Sequence, residues 1–210
     1  YSSAASDVYK RQGYARNPEQ VINFYNERRK QLLDVVPNAG HLGVADLERD
    51  FNVTVVTQNV DNLHERAGST HVIHLHGELT KVCSSRDPYN PHFVKELAPE
   101  EYEVKLGDKA GDGTQLRPFI VWFGESVPEI ETAIRYVEQA DIFVIIGTSL
   151  NVYPAAGLLN YVPRAAEVYL IDPKPVDTHV MRPIHVIQKG ASEGVKELKA
   201  LLTVTQPPLP

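Results

Sequence analysis

Short apolar, β-branched runs recur along the chain with helical patterns between them, and this alternation restricts the fold to a narrow class. The runs occupy residues 53–56, 119–123, 142–146 and 168–171, with a weaker one at 185–187. Each is too short for an ordinary helix and reads as a strand buried on both faces. Between them, Asn17-Pro18 supplies a cap and a first-turn proline to a segment with Val21, Ile22, Phe24, Tyr25, Leu32 and Leu33 at helical spacing. Further helical patterns cover 38–49, 128–139, 154–162 and 192–202. Strands alternating with helices predict an α/β fold, a Rossmann-like parallel sheet with helices on both faces. Ligands of such sheets bind beyond the carboxyl ends of the strands.

One stretch breaks the rhythm. Residues 80–115 are polar, carry Pro88, Pro91 and Pro99, and include GDKAGDG at 107–113. That is too long for a plain loop in a compact core and predicts a small inserted module. The opening YSSAASDVYKRQ has neither caps nor apolar periodicity, so residues 1–12 are set aside as a non-native, adapter-derived tail. The expected organisation is that tail, a helical part of a small domain over 13–36, the Rossmann-like domain over 37–78 and 118–203, the small module over 79–117, and a flexible tail over 204–210.

With 210 residues, 42% of them hydrophobic, the chain can build one good-sized core. A net charge of -6 argues against nucleic acid as a partner, because phosphate binding wants a basic surface. The single cysteine, Cys83, excludes both a disulfide within the chain and a zinc site of four thiolates. No apolar run approaches a membrane span and nothing resembles a signal peptide, so a cytoplasmic protein without membrane contact is expected.

Three strand ends carry unusual residues. After 53–56 comes TQNVDNLHERAG, after 142–146 comes GTSLNVYPAAG, and after 168–171 comes Asp172-Pro173. In the second, Gly147 lets the backbone approach a ligand, Thr148 and Ser149 offer hydroxyls, and Pro154 starts a helix. Taken alone, that segment reads first as an ordinary capped strand-to-helix turn. In the first, Gln58, Asn59 and Asp61 place two amides and a carboxylate where a turn needs none of them. Downstream lies HVIHLHG, in which His74 and His76 alternate on an extended segment and so share a face. Two such histidines suit metal ligands, a base with its orienting partner, or packed core groups. Spacing alone leaves all three open, including a metal-dependent hydrolase built on His71, His74 and His76.

The segment TQNVDNLHERAGSTHVIHLHGEL resembles the central motif of the sirtuin family of NAD-dependent protein-lysine deacylases. PFIVWFGE and GTSLNVYPAAG resemble that family's next two motifs, in the same order. The resemblance runs from about Asn17 to Leu202. It implies NAD as cofactor, acylated-lysine proteins as partners, and His76 as catalytic base. It also implies that Gln58, Asn59, Val60 and Asp61 contact the nicotinamide ribose and nicotinamide, with Asn59 and Asp61 assisting catalysis. Gly147, Thr148 and Ser149 correspond to the NAD-binding turn, Asp172 lies near the adenine-ribose position, and Ala191 corresponds to the adenine-side contact. Val121, Trp122, Phe123, Gly124 and Val152 correspond to the elements that clamp the substrate peptide by backbone pairing. In the implied reaction the acyl oxygen attacks C1' of the ribose, nicotinamide leaves, and His76 takes a ribose hydroxyl proton. The products are free lysine and O-acyl-ADP-ribose.

FYNERRKQLL resembles the sirtuin class that removes acidic acyl groups, in which a Tyr-x-x-Arg pair grips the distal carboxylate. Tyr25 and Arg28 stand one helical turn apart, and spacing alone favours a tyrosine on the apolar stripe with an arginine on the solvated edge. The resemblance implies a preference for succinyl or malonyl lysine over acetyl. Two departures stand against the family pattern. The cysteine pairs of its small module are missing, so no metal and no zinc are expected. Its first strand, Gly-Ala-Gly phosphate loop and Arg-containing cofactor loop also have no counterpart, so the chain is expected to be N-terminally truncated. An exposed apolar slot and an incomplete cofactor site, in the limit a non-catalytic nucleotide-binding fragment, would then follow.

Overall fold

A computed structural model describes residues 7–148, 155–176 and 182–205. The chain divides into two compact units: Tyr1–Val36, Thr57–Asn62 and His74–Pro128 form the first, and Pro37–Val56, Leu63–Ile73 and Glu129–Pro210 the second.

The first unit begins with α1 (Arg11–Arg16) and α2 (Pro18–Asp34). Asn17 caps α2 by accepting from the Gln20 amide, and Pro18 fills the first turn. Residues 7–12, set aside on sequence grounds, are packed here: Val8 is buried and α1 starts at Arg11. One face of α2 buries Val21, Ile22, Tyr25 and Leu32, as its periodicity predicts. The same face also buries Asn26 and Arg29, whose polar side chains, rather than their positions, predict solvent exposure. Asn26 exchanges two bonds with the backbone of Val104, while Arg29 donates to the carbonyls of Tyr102 and Leu79 and to Asn26 Oδ1. Burial lowers the Arg29 pKa to about 10, because these partners are neutral and leave its desolvation uncompensated.

Against α2 lies an antiparallel sheet ordered β4-β3-β5, with β3 at Gly77–Ser84, β4 at Lys95–Glu96 and β5 at Leu116–Ile120. The run at 119–123 was expected to be a parallel strand of the main sheet. It differs because β5 starts earlier and pairs antiparallel with β3, ending at Ile120. Ile22, Val82 and Val104 form this unit's core, with Tyr14, Leu97 and Leu116 packed on it. Cys83 lies in the same sheet, fully buried, its thiol donating toward the Pro118 carbonyl at 3.7 Å. Desolvation pushes that thiol up to about 12, which makes it a core residue.

Hydroxyls and one carboxylate tie the module's loops together. Ser84 Oγ donates to Asp112 Oδ2 at 2.6 Å, lies 3.0 Å from Thr114 Oγ1, and accepts from the amides of Arg86 and Asp87. Asp112 Oδ1 in turn accepts from Thr114 N and Oγ1. Ser84→Ala leaves two amides without this acceptor, so urea unfolding should register a loss of about 1–3 kcal/mol. An unchanged midpoint would show that water replaces the hydroxyl.

The second unit carries α3 (Ala39–Asp46), α4 (Leu63–Ala67), α5 (Ile130–Val137), α6 (Ala155–Leu158) and α7 (Ala191–Thr205). Its parallel sheet is ordered β6-β7-β8, from Ile142–Ile146, Glu167–Ile171 and His185–Ile187. The α7 helix packs Val195, Leu198 and Leu202 onto Tyr169, Ile171, Ile187 and Leu47. Because α7 continues to Thr205, residues 204 and 205 belong to the helix rather than to the expected tail. The Rossmann-like expectation of a parallel α/β sheet holds, although the strands are split. Val55–Thr57 (β1) and Val72–His74 (β2) pair as a separate two-stranded sheet, and among the described residues β6 is an edge strand bonded only to β7. Four of the five apolar residues of β6 are only partly buried. Among the described residues no helix is long and apolar enough to cross a membrane.

Candidate active site

In the first unit, backbone bonds lace three segments together. Leu75 N donates to the Thr57 carbonyl at 2.9 Å, Leu79 N to Val60 at 2.7 Å, and Val121 N to His76 at 2.9 Å. The polar loop after β1, the histidine segment and the start of the 121–124 segment are therefore held side by side. Buried Thr57 accepts the Asn59 amide on its Oγ1 at 3.0 Å and so turns the chain outward. Asn59 is then exposed, while Gln58, Val60 and Asp61 are half-buried.

His74 and His76 do not share one face of a continuous strand, contrary to the alternation argument. β2 ends at His74, the chain turns through Leu75 and His76, and Gly77 takes φ +87°. A Cβ at Gly77 would lie 2.1 Å from the Phe119 carbonyl oxygen, so the turn needs glycine. The two rings consequently have separate jobs. His74 is buried with Nδ1 3.1 Å from the Asn59 carbonyl, which can only accept, so that nitrogen carries the proton. His71 bonds Thr54 through Nδ1 at 2.9 Å and packs at a tilt against Tyr136, within the second unit.

His76 is half-buried. Burial lowers its pKa below the ordinary 6.5, partly offset by a bond to the Gln58 backbone that favours the protonated ring. One ring nitrogen is thus fixed as a donor, and the other of the neutral imidazole is left as an acceptor. A neutral, oriented imidazole can receive a proton from an adjacent hydroxyl.

Tyr25 and Arg28 make separate contacts. Tyr25 is buried, its hydroxyl donating to the Val8 carbonyl at 3.2 Å and accepting from Trp122 Nε1 at 3.1 Å. Desolvation pushes its pKa up to about 12. Arg28 is exposed, donates to Gln31 Oε1 and lies over the Phe24 ring. Trp122 is buried, whereas the Phe123 side chain is 77% exposed and Gly124 has φ +87°. The Phe123 amide donates to the Tyr9 carbonyl at 3.0 Å, and Lys10 forms a parallel bridge with Phe123. The backbone at Phe123 thus offers an edge of the kind that receives an extended segment, here bridged by Lys10 of the chain itself.

Sequence reasoning passed over the groups beneath this edge. Arg117 is 2% exposed and makes a two-pronged ion pair with Glu125, Nη1 to Oε1 at 3.0 Å and Nη2 to Oε2 at 3.1 Å. Tyr89 and the Trp122 amide also donate to Glu125 Oε2. The visible signal was an arginine inside LRPFIVWF, where a buried run tolerates a charge only with a partner.

In the second unit the register of the parallel sheet aligns Ile146, Ile171 and Ile187. Gly147, Asp172 and the turn into Ala191 thus follow neighbouring strand ends. Gly147 has φ +62° with open space where a Cβ would stand, and its amide donates to the Ile171 carbonyl. Asp172 Oδ1 accepts the Lys174 amide, and Ala191 is the first residue of α7. Thr148 is half-buried. Ser149 and Val152 lie outside the described residues. This row of small and polar groups at strand ends, with a helix start beside it, suits the hydroxyls and phosphates of a nucleotide.

A split parallel sheet with helices packed on it, polar strand ends and a small antiparallel module define an α/β protein of the Rossmann-like class. The model of the Sir2 family matches residues 1–154, and the chain belongs to that family. It is 82% identical over 191 residues to the NAD-dependent protein deacylase of Bacteroides thetaiotaomicron, covering 91% of this chain and 82% of that one. It is 47% identical to the Helicobacter pylori protein of the same description, over 89% of this chain and 79% of the relative. Among solved structures, a Sir2 homolog–NAD complex superposes with a TM-score of 0.79 at 34% identity, covering 95% of this chain and 78% of that one. The ADP-ribose complex of a mutant Sir2 homologue gives 0.80 at 32% identity, covering 98% and 84%.

Proposed function

We propose that the chain is an NAD-dependent protein-lysine deacylase with His76 as its general base. The observation that carries this reading is the half-buried, neutral-leaning imidazole of His76, bonded to the Gln58 backbone on a segment whose neighbours Leu75 and Leu79 pair with Thr57 and Val60. The deacylase relatives and the NAD and ADP-ribose complexes of Sir2 homologues support the cofactor. When bound, NAD supplies an electrophilic ribose carbon with nicotinamide as leaving group. Gln58, Asn59 and Asp61 orient that ribose and the carboxamide, and Asn59 and Asp61 also assist the reacting groups. The free nitrogen of His76 accepts a ribose hydroxyl proton. Gly147, Thr148, Ser149, Asp172 and Ala191 serve the rest of the dinucleotide. The peptide of an acylated protein adds to Val121, Trp122, Phe123 and Gly124, with Val152 as a further contact. The single cysteine supports a reducing cytoplasm as the working compartment.

The direct test is mass spectrometry of the chain with NAD and an acyl-lysine peptide. Free-lysine peptide, nicotinamide and O-acyl-ADP-ribose should appear in equal amounts. Peptide hydrolysis without NAD consumption would overturn the proposal in favour of a hydrolase.

The acyl preference follows from Tyr25 and Arg28, which we assign to the distal carboxylate of a succinyl or malonyl group. A guanidinium grips a carboxylate with two parallel bonds. The Tyr25 hydroxyl must first turn its proton from the Val8 carbonyl toward the ligand. Arg28→Ala should cut kcat/KM for succinyl-lysine peptide about 10- to 100-fold, the worth of a charged hydrogen-bonded contact. Deacetylation should be spared, and equal losses on both substrates would remove the assignment.

A further inference from the structure

We propose that Arg117 and Glu125 are positioning residues that hold Trp122 and Phe123 in the form that receives the substrate peptide, an inference that rests on the deacylase reading above. Nothing in β5 demands a charge at Arg117, which is itself buried beside buried Pro118 and Ile120. Its guanidinium donates to the Ile120 carbonyl at 2.7 Å, stacks 3.7 Å from the Trp122 ring centroid, and forks onto Glu125. Glu125 Oε2 simultaneously accepts the Trp122 amide at 3.0 Å and the Tyr89 hydroxyl at 2.9 Å. One carboxylate thus closes a loop around residues 122–125 from several directions. The Trp122 indole continues the chain of contacts by donating to Tyr25 Oη.

The pair is charged on both sides. Burial alone would lower the Arg117 pKa and raise that of Glu125, yet their mutual bonds and charge shift both the other way. A buried ion pair is a poor source of net stability but imposes strict geometry. Here that geometry falls on the segment whose next amide, Phe123 N, donates to the Tyr9 carbonyl. The arrangement therefore bears on substrate register, through Trp122 and Phe123, while neither charged group touches the reacting atoms.

Trp122 is the single tryptophan of the chain, so its emission reports on this site without a label. Glu125→Gln preserves shape while removing the charge and one fork. Its emission maximum should shift to the red as water reaches the indole. Acyl-peptide titration followed at Trp122 should weaken about tenfold, as should KM for peptide, with kcat and KM for NAD within about twofold of the parent. Equal peptide affinity and unchanged emission would overturn the positioning role. So would a parallel loss of kcat and of both KM values, the signature of general structural damage. Tyr89→Phe, which removes a single hydroxyl from Glu125, should show the same split at about two- to fivefold, and carries the test if the first variant does not fold. A parent chain that neither binds acyl peptide nor consumes NAD would instead sink the deacylase reading. The emission shift of Glu125→Gln would still decide whether the pair positions Trp122.

Discussion

Replacing His76 by alanine should lower deacylation by about 10²–10⁴-fold, the usual contribution of a positioned general base, while leaving the fold intact. The fold should survive because the ring is half-buried and its bond is to the Gln58 backbone. Far-ultraviolet circular dichroism and NAD binding check that separately from rate. The parent enzyme's pH profile sharpens the test. Only the neutral ring can accept a proton, and burial holds its pKa below the ordinary 6.5. The rate should therefore fall as pH drops through a value below 6.5, and stay level from there to neutrality. The same shift makes the unfolded chain the better proton acceptor, so stability declines as pH falls through 6.5 and below. An acid limb centred above 6.5 would show that burial does not hold the His76 ring neutral in the working complex.

The second large effect is expected one residue later. Gly77→Ala places a methyl group 2.1 Å from the Phe119 carbonyl oxygen at φ +87°, against backbone that cannot swing aside. Strain and overpacking together should cost about 2–6 kcal/mol. That is comparable with the whole stability of many domains. Gly107 offers the control, with φ +103° but nothing within 4 Å of a Cβ. Gly107→Ala should cost about 1 kcal/mol, the conformational penalty alone. Similar unfolding midpoints for the two variants would show that the turn at His76 can relax.

These two neighbours illustrate how far the sequence could be read. The α2 helix was legible because Asn17, Pro18 and a regular apolar face act locally, and β6 was legible as an uninterrupted apolar run. β3 was not, because its pairing register shifts between Gly77 and Val82, so the alternation that marks a strand slips midway. The separation of His74 from His76 was hidden for a related reason. It depends on a positive φ at Gly77 that is required by Phe119, far along the chain. Arg29 escaped notice because its partners Leu79 and Tyr102 lie 50 and 73 residues away. Family resemblance supplied the role of His76, which spacing alone had left beside two other readings. It did not supply the Arg117–Glu125 pair, whose significance is visible only once the loop closes on itself.

The bridge at Phe123 has one more consequence. A segment tethered to its own docking edge competes at an effective concentration on the order of millimolar, whatever the bulk concentration of peptide. Residues 9 and 10 occupy that edge through the Phe123 amide. With an acylated peptide docking at Phe123 as proposed, its apparent affinity becomes a ratio, with residues 9 and 10 in the denominator. Altering the length or sequence ahead of α1 would rescale it without touching a single residue of the site.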